Sequence, residues 1–140
     1  MAGSDFHDDW IIKIDKNGKE QWNVTIEAIR NKIVEKAQSW ITSLIQTKDG
    51  GYMLSGAIPT KVGDNNAWII KTNRFGRIQR NMIFGGNNED LANSVIQISD
   101  NSYIFVGTTN VSSDNDAWLV HFNGRKFIET LNNYNKYKTT

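Results

Sequence analysis

Trp-Ile-Ile-Lys at 10–13 recurs unchanged at 68–71 and as Trp-Leu-Val-His at 118–121, so the three tryptophans lie 58 and 50 residues apart. A second set of landmarks keeps a constant offset of 51 residues. Ser43-Leu44-Ile45-Gln46-Thr47 matches Ser94-Val95-Ile96-Gln97-Ile98, Asp49-Gly50-Gly51-Tyr52 matches Asp100-Asn101-Ser102-Tyr103, and Gly56 matches Gly107. Two sets of landmarks at nearly one period point to a chain made of copies of one supersecondary unit. Such a unit buries its apolar face only by packing on its neighbours.

The unit reads as β-structure. Its apolar runs are short, rich in β-branched and aromatic residues, and bounded by Asp, Asn and Gly. Asp15-Lys16-Asn17-Gly18, Asn73-Arg74-Phe75-Gly76, Asp49-Gly50-Gly51 and Asn123-Gly124 supply tight hairpin turns between them. The pattern predicts strands at 10–14, 19–25, 40–47, 51–57, 67–72, 77–84, 92–98, 102–108, 117–122 and 126–131. These make an all-β antiparallel meander, about four strands per copy. One stretch departs from it. Ile26, Ile29, Ile33, Val34 and Ala37 fall at helical spacing among charged residues, where the next copy has the polar loop Gly85–Asp90. An inserted helix near 26–38 is expected, with a strand starting at Trp40 rather than a helix running on to Ile45.

Bulk properties narrow the partners. With 140 residues the chain can bury a core as one domain, placed here at 9–131, with an extension or cloning scar at 1–8 and a tail at 132–140. Sixteen basic and fifteen acidic side chains leave a net charge of +1, which advertises nothing to nucleic acid or an anionic membrane. No apolar run reaches the length of a membrane span. The absence of cysteine removes disulfides and thiolate metal sites and leaves the compartment open. The opening Met1-Ala2-Gly3-Ser4-Asp5 has no basic or apolar region of a signal peptide, so the chain either is cytoplasmic or starts after a removed leader.

The order Asp-x-Trp-Leu-x-Lys, Asn-Gly, Gly-Gly, Ser-x-Ile-Gln, Asp-Gly-Gly-Tyr and Gly resembles bacterial and archaeal surface β-propeller repeats, over roughly 9–127. Asp15-Lys16-Asn17-Gly18-Lys19-Glu20-Gln21-Trp22 is similar, less closely, to the tryptophan-docking motif of quinoprotein-type propellers, although Arg80 replaces Trp22 in the next copy. The resemblance implies four-stranded propeller-type blades at 40–84 and 92–131 with a half-blade at 10–25, about two and a half in all. It also implies an extracellular or cell-surface setting. A closed propeller needs at least four blades, so the chain is expected to form a homo-oligomer, with membership of a larger propeller or packing of its units as a small sandwich as the alternatives. No quinone-binding residue is identifiable, and no cofactor is expected.

Candidate sites divide by chemistry. The acidic turns at Asp5, Asp8, Asp9, Asp64, Asp114 and Asp116 read as turn formers rather than calcium ligands, because no calcium loop with a closing Glu is present. His7 and His121 have no zinc spacing, and His121 aligns with Lys13 and Lys71 at a solvated strand position. Glu89 and Asp90 are adjacent and cannot face each other across a glycosidase cleft. No nucleophile elbow or phosphate loop occurs, so no enzyme is expected. Trp10, Trp68 and Trp118 read as recurring core residues. Trp22 and Trp40 lack aromatic counterparts and are the ligand or interface candidates, together with Ile29 and Ile33 on the helix stripe. Arg74, Arg77 and Arg80 around Phe75 form a basic hairpin that reads as solvated, with a contact to phosphate or a nucleic-acid single strand as the alternative. The function expected is non-catalytic protein assembly or scaffolding. Glycan binding through exposed aromatics, or membership of a larger propeller enzyme, are the alternatives.

Overall fold

A computed structural model describes residues 9–25, 39–60, 64–110 and 115–124. The strands are β1 (Trp10–Ile14), β2 (Glu20–Thr25), β3 (Trp40–Gln46), β4 (Tyr52–Pro59), β5 (Asn65–Thr72), β6 (Ile78–Phe84), β7 (Asp90–Ser99), β8 (Ser102–Asn110) and β9 (Asn115–Asn123). They form three antiparallel meander sheets of two, four and three strands, in the orders β1-β2, β3-β4-β5-β6 and β7-β8-β9. Strands account for 72% of the described residues, which makes the protein all-β.

Nine of the ten expected strands are present, with ends displaced by at most two residues. The tenth, at 126–131, and the helix expected near 26–38 lie outside the described residues, as do the segments 1–8 and 132–140. Trp40–Gln46 is a strand, so the helical spacing of Trp40, Ile41 and Leu44 gives way to pairing with β4.

Turn chemistry sets the pairing. In the β1–β2 hairpin the Asp15 carboxylate accepts from the amides of Asn17 at 2.8 Å and Lys19 at 3.0 Å. Asn73 does the same for Phe75 at 2.9 Å and Arg77 at 3.0 Å in the β5–β6 hairpin. Gly18 and Gly76 close these turns at φ 82° and 77°, a region costly to any residue with a Cβ. The register then slips by one residue between Lys13 and Ile14 and between Lys71 and Thr72, as a bulged hairpin requires.

The second sheet is covered on both faces. One face carries Tyr52, Leu54, Ile58, Trp68 and Ile70 and packs with Ile11 and Trp22 of the first sheet. The other carries Met53, Ala67, Ile69, Met82 and Phe84 and packs with Val95, Tyr103, Phe105, Trp118, Val120 and Phe122 of the third. That explains the residue pattern. β4 and β5 are buried almost from end to end and read as continuous apolar runs, whereas β9 alternates buried and exposed residues.

The junctions differ in content. Between the second and third sheets, Phe105 stands edge-on to Phe84 at 5.0 Å and to Trp118 at 5.2 Å, and Tyr103 stacks on Phe122 at 5.5 Å. Thr42 also donates across this junction to the Ala92 carbonyl at 2.6 Å. Between the first and second sheets the ring contact is Trp22 edge-on to Tyr52 at 5.6 Å, among aliphatic side chains.

The aligned tryptophans do not share one setting. All three lie on strands, and Trp68 and Trp118 are 0% and 1% exposed, but Trp10 is 68% exposed. The expectation of three equivalent core residues is corrected for Trp10. Its side chain leaves the face opposite Ile11, and among the described residues no sheet lies on that side.

Candidate functional site

Two features stand out: a polar cleft at one rim, and the apolar outer faces of the end sheets.

The cleft lies where the turn ends of the second and third sheets meet. It has a volume of about 530 Å³, and Asp49, Lys71, Gln79 and Arg80 line one side. Asp100, Asn101, Tyr103 and Gly124 line the other. The Lys71 side chain is buried, and its ammonium reaches both Asp49 oxygens, at 3.1 and 3.0 Å. It also donates to the Thr72 carbonyl at 2.7 Å. A buried ammonium is tolerated only with such partners. The solvated position expected for His121 is exposed, whereas its aligned counterpart Lys71 is buried because the Asp49 turn folds over it.

Asp49 is itself held by its turn. Burial pushes its carboxyl up, but donation from Thr47 and the Gly51 amide, with the Lys71 ammonium, brings it down to about 2. Tyr103 moves the other way. Burial first, then the Asp49 and Asp100 carboxylates, raise its phenol above the ordinary value. Its hydroxyl accepts from Gln97 at 3.3 Å. The cleft therefore opposes cations to carboxylates, and its strongest pair is already satisfied internally.

At the position of Lys71 the third sheet has His121, exposed and 2.6 Å from the Ser102 hydroxyl. Asp100, at the position of Asp49, faces solvent and lies 3.9 Å from Lys48, an exposed pair of little energetic weight.

The outer faces are apolar. On the first sheet Trp10, Ile12 and Ile14 are exposed, all on the side away from Ile11. On the third sheet the cross-strand pairs Ile96–Ile104 and Val106–Leu119 share the face opposite Phe105 and Trp118. Ile96, Ile98, Val106 and Leu119 are exposed there.

Of the residues singled out from sequence, Arg80 lines the cleft and donates to the Gly124 carbonyl at 3.3 Å. Arg74 lies over the Phe75 ring at 5.2 Å, a cation–π contact at the hairpin tip. The Arg77 amide is used in the turn. Trp22 packs between the first and second sheets, so close to Gly76 that a Cβ there would lie 2.6 Å from its ring. Trp40 is partly exposed on edge strand β3. Ile29 and Ile33 lie outside the described residues. Of the described candidates, Arg80 alone lines the cleft.

Asp9, Asp64 and Asp116 are described, whereas Asp5, Asp8, Asp114 and His7 are not. Among the described residues there is no group of three or more His, Asp or Glu able to hold a metal ion. Glu89 accepts from the Asn65 amide, while Asp90 is buried and receives the Thr109 hydroxyl. Among the described residues no helix is long and apolar enough to cross a membrane. The cleft escaped sequence reading because six separate segments build it. The one available signal was an Asp recurring in the turn two strands before a Lys or His.

No protein-family model matches the chain, and no curated protein matches it either.

Proposed function

We propose that this chain is a non-catalytic β-propeller-type module that works by assembling with other protein surfaces. The observation that carries the reading is the pair of apolar outer faces, Trp10-Ile12-Ile14 at one end of the sheet stack and Ile96, Val106 and Leu119 at the other. Apolar surface of this kind, rimmed by polar residues, marks an interaction site. The succession of small antiparallel sheets, packed face to face through aromatic and aliphatic cores, suits blades of a propeller. Within the cleft, Asp49 and Lys71 are spent on each other and on their own turns, so this pair acts structurally.

Light scattering with a hydrophobic dye tests the reading. The chain should either associate or bind dye, and the double variant Trp10→Asp, Leu119→Asp should do neither. A wild-type monomer that binds no dye would show that its own chain covers these faces, and the assembly reading would fail.

A second reading, a carbohydrate-binding surface module, is favoured by the cleft. Its carboxylates, amides, guanidinium and phenol ring suit a hydroxyl-rich ligand. On a glycan array Arg80→Ala should abolish such binding while Trp22→Ala leaves it. Binding to no glycan rules the reading out.

A further inference from the structure

We infer that the two open faces are the two halves of one interface, and that the occupant of each is a second copy of this chain, docked head to tail. The inference rests on the assembly reading and names its partner.

The chain builds this interface twice within itself. At the first junction the side of the first sheet that carries Ile11 meets the side of the second that carries Trp68 and Ile70. At the second junction the side of the second sheet that carries Ile69 meets the side of the third that carries Trp118 and Val120. Ile11 and Ile69 occupy aligned positions, 58 residues apart, and so do Trp68 and Trp118, 50 apart. Each junction joins an isoleucine side to a tryptophan side.

Continued once more, the series leaves Leu119 on the open isoleucine side of the third sheet and Trp10 on the open tryptophan side of the first. Leu119 is 50 residues after Ile69, and Trp10 is 58 before Trp68. Both are exposed, and their neighbours carry the apolar character of the buried counterparts. Ile12 aligns with buried Ile70, and Ile96 with Ile45, which packs into the core at the second junction.

The halves lie at opposite ends of the stack, so one rigid chain does not bring them together. A neighbouring copy does. Such a contact is heterologous: every bound copy still offers one free face, and the series either closes into a ring or runs on as a filament. An isologous dimer of tryptophan faces would instead set two large rings on each other without the complementary isoleucine side seen at both internal junctions.

The test uses the full chain and two surface variants, Trp10→Asp and Leu119→Asp, followed by sedimentation velocity across the micromolar range. Circular dichroism and thermal melting check that each variant keeps its fold. Wild type should form species larger than a dimer as concentration rises. Each variant alone should associate ~100-fold more weakly, as loss of a central apolar anchor requires. Mixed in equal amounts, the two variants should recover a dimer and nothing larger, because each supplies the one face the other lacks.

Dimerisation of Leu119→Asp alone with loss only in Trp10→Asp would indicate paired tryptophan faces and overturn the inference. Association that both variants retain would place the contact elsewhere and overturn it too. A wild-type monomer that binds hydrophobic dye would also overturn it, while leaving the faces open to a different protein and the assembly reading standing. A wild-type monomer without dye binding ends both.

Discussion

The second and third sheets align residue by residue along most of their length, yet one is a middle layer and the other an end layer. In the second sheet Ile69 is fully buried, and Lys71 closes an ion pair under the Asp49 turn. In the third, Leu119 lies open, and His121 reaches only a serine hydroxyl while Asp100 faces solvent. Among the described residues, burial thus follows whether a neighbouring sheet is present, more than it follows which residue a strand carries. Trp10 makes the same point from the other end, exposed where Trp68 and Trp118 are buried.

The comparison is sharpened most by cutting the inner layers. Phe105→Ala removes a fully buried ring that contacts Phe84 and Trp118 and should cost about 3–5 kcal/mol of unfolding free energy. Trp68→Ala should cost a similar ~3–5 kcal/mol, whereas Trp10→Ala, in dilute solution, should stay within about 0.5 kcal/mol of wild type. Chemical denaturation measures all three. Equal losses for the two tryptophans would mean that Trp10 is covered and would break the contrast.

Gly56 and Gly107 probe what the two sheets share. At each, the preceding strand bulges, and a Cβ would collide with a backbone oxygen, that of Trp40 or of Leu91. Backbone cannot swing aside as a side chain can, so Gly56→Ala and Gly107→Ala should each cost about 3 kcal/mol. Melting temperatures that fall for one and not the other would show that the aligned bulges carry unequal loads.

Much of the fold was legible because its signals are local. Gly18 and Gly76 mark turns, and the apolar runs between them have strand length, so nine strands could be placed from sequence. What escaped depends on contacts between elements. Alignment puts Trp10 on a strand, but it is exposed because, among the described residues, no sheet packs on its side. Nothing in the sequence marks Lys71 as buried, because the carboxylate that permits its burial comes from a turn 22 residues earlier. Arg80 was visible as one of three basic residues, but its separation from Arg74 and Arg77 depends on the pairing of β6 with β5 and the approach of Gly124.

The smallest expected effect concerns the Asp49–Lys71 pair, and it depends on pH. The Asp49 carboxyl sits below its ordinary value of 3.8, at about 2. A group depressed in the folded state stabilises it above the unfolded value, and that contribution is lost as pH falls through the folded one. The window is therefore pH 4 down to about 2. The depression alone corresponds to roughly 2.5 kcal/mol. With 61% of the Asp49 side chain exposed, solvent screening reduces this to about 1 kcal/mol. Asp49→Asn should lower stability by about that much at neutral pH and flatten its pH dependence within the window. Asp100→Asn, at the aligned but solvent-facing position, should leave both unchanged. Denaturant titrations at pH 7, 4 and 2.5 separate the two variants, and equal behaviour would mean that the burial of Lys71 does not depend on the turn above it.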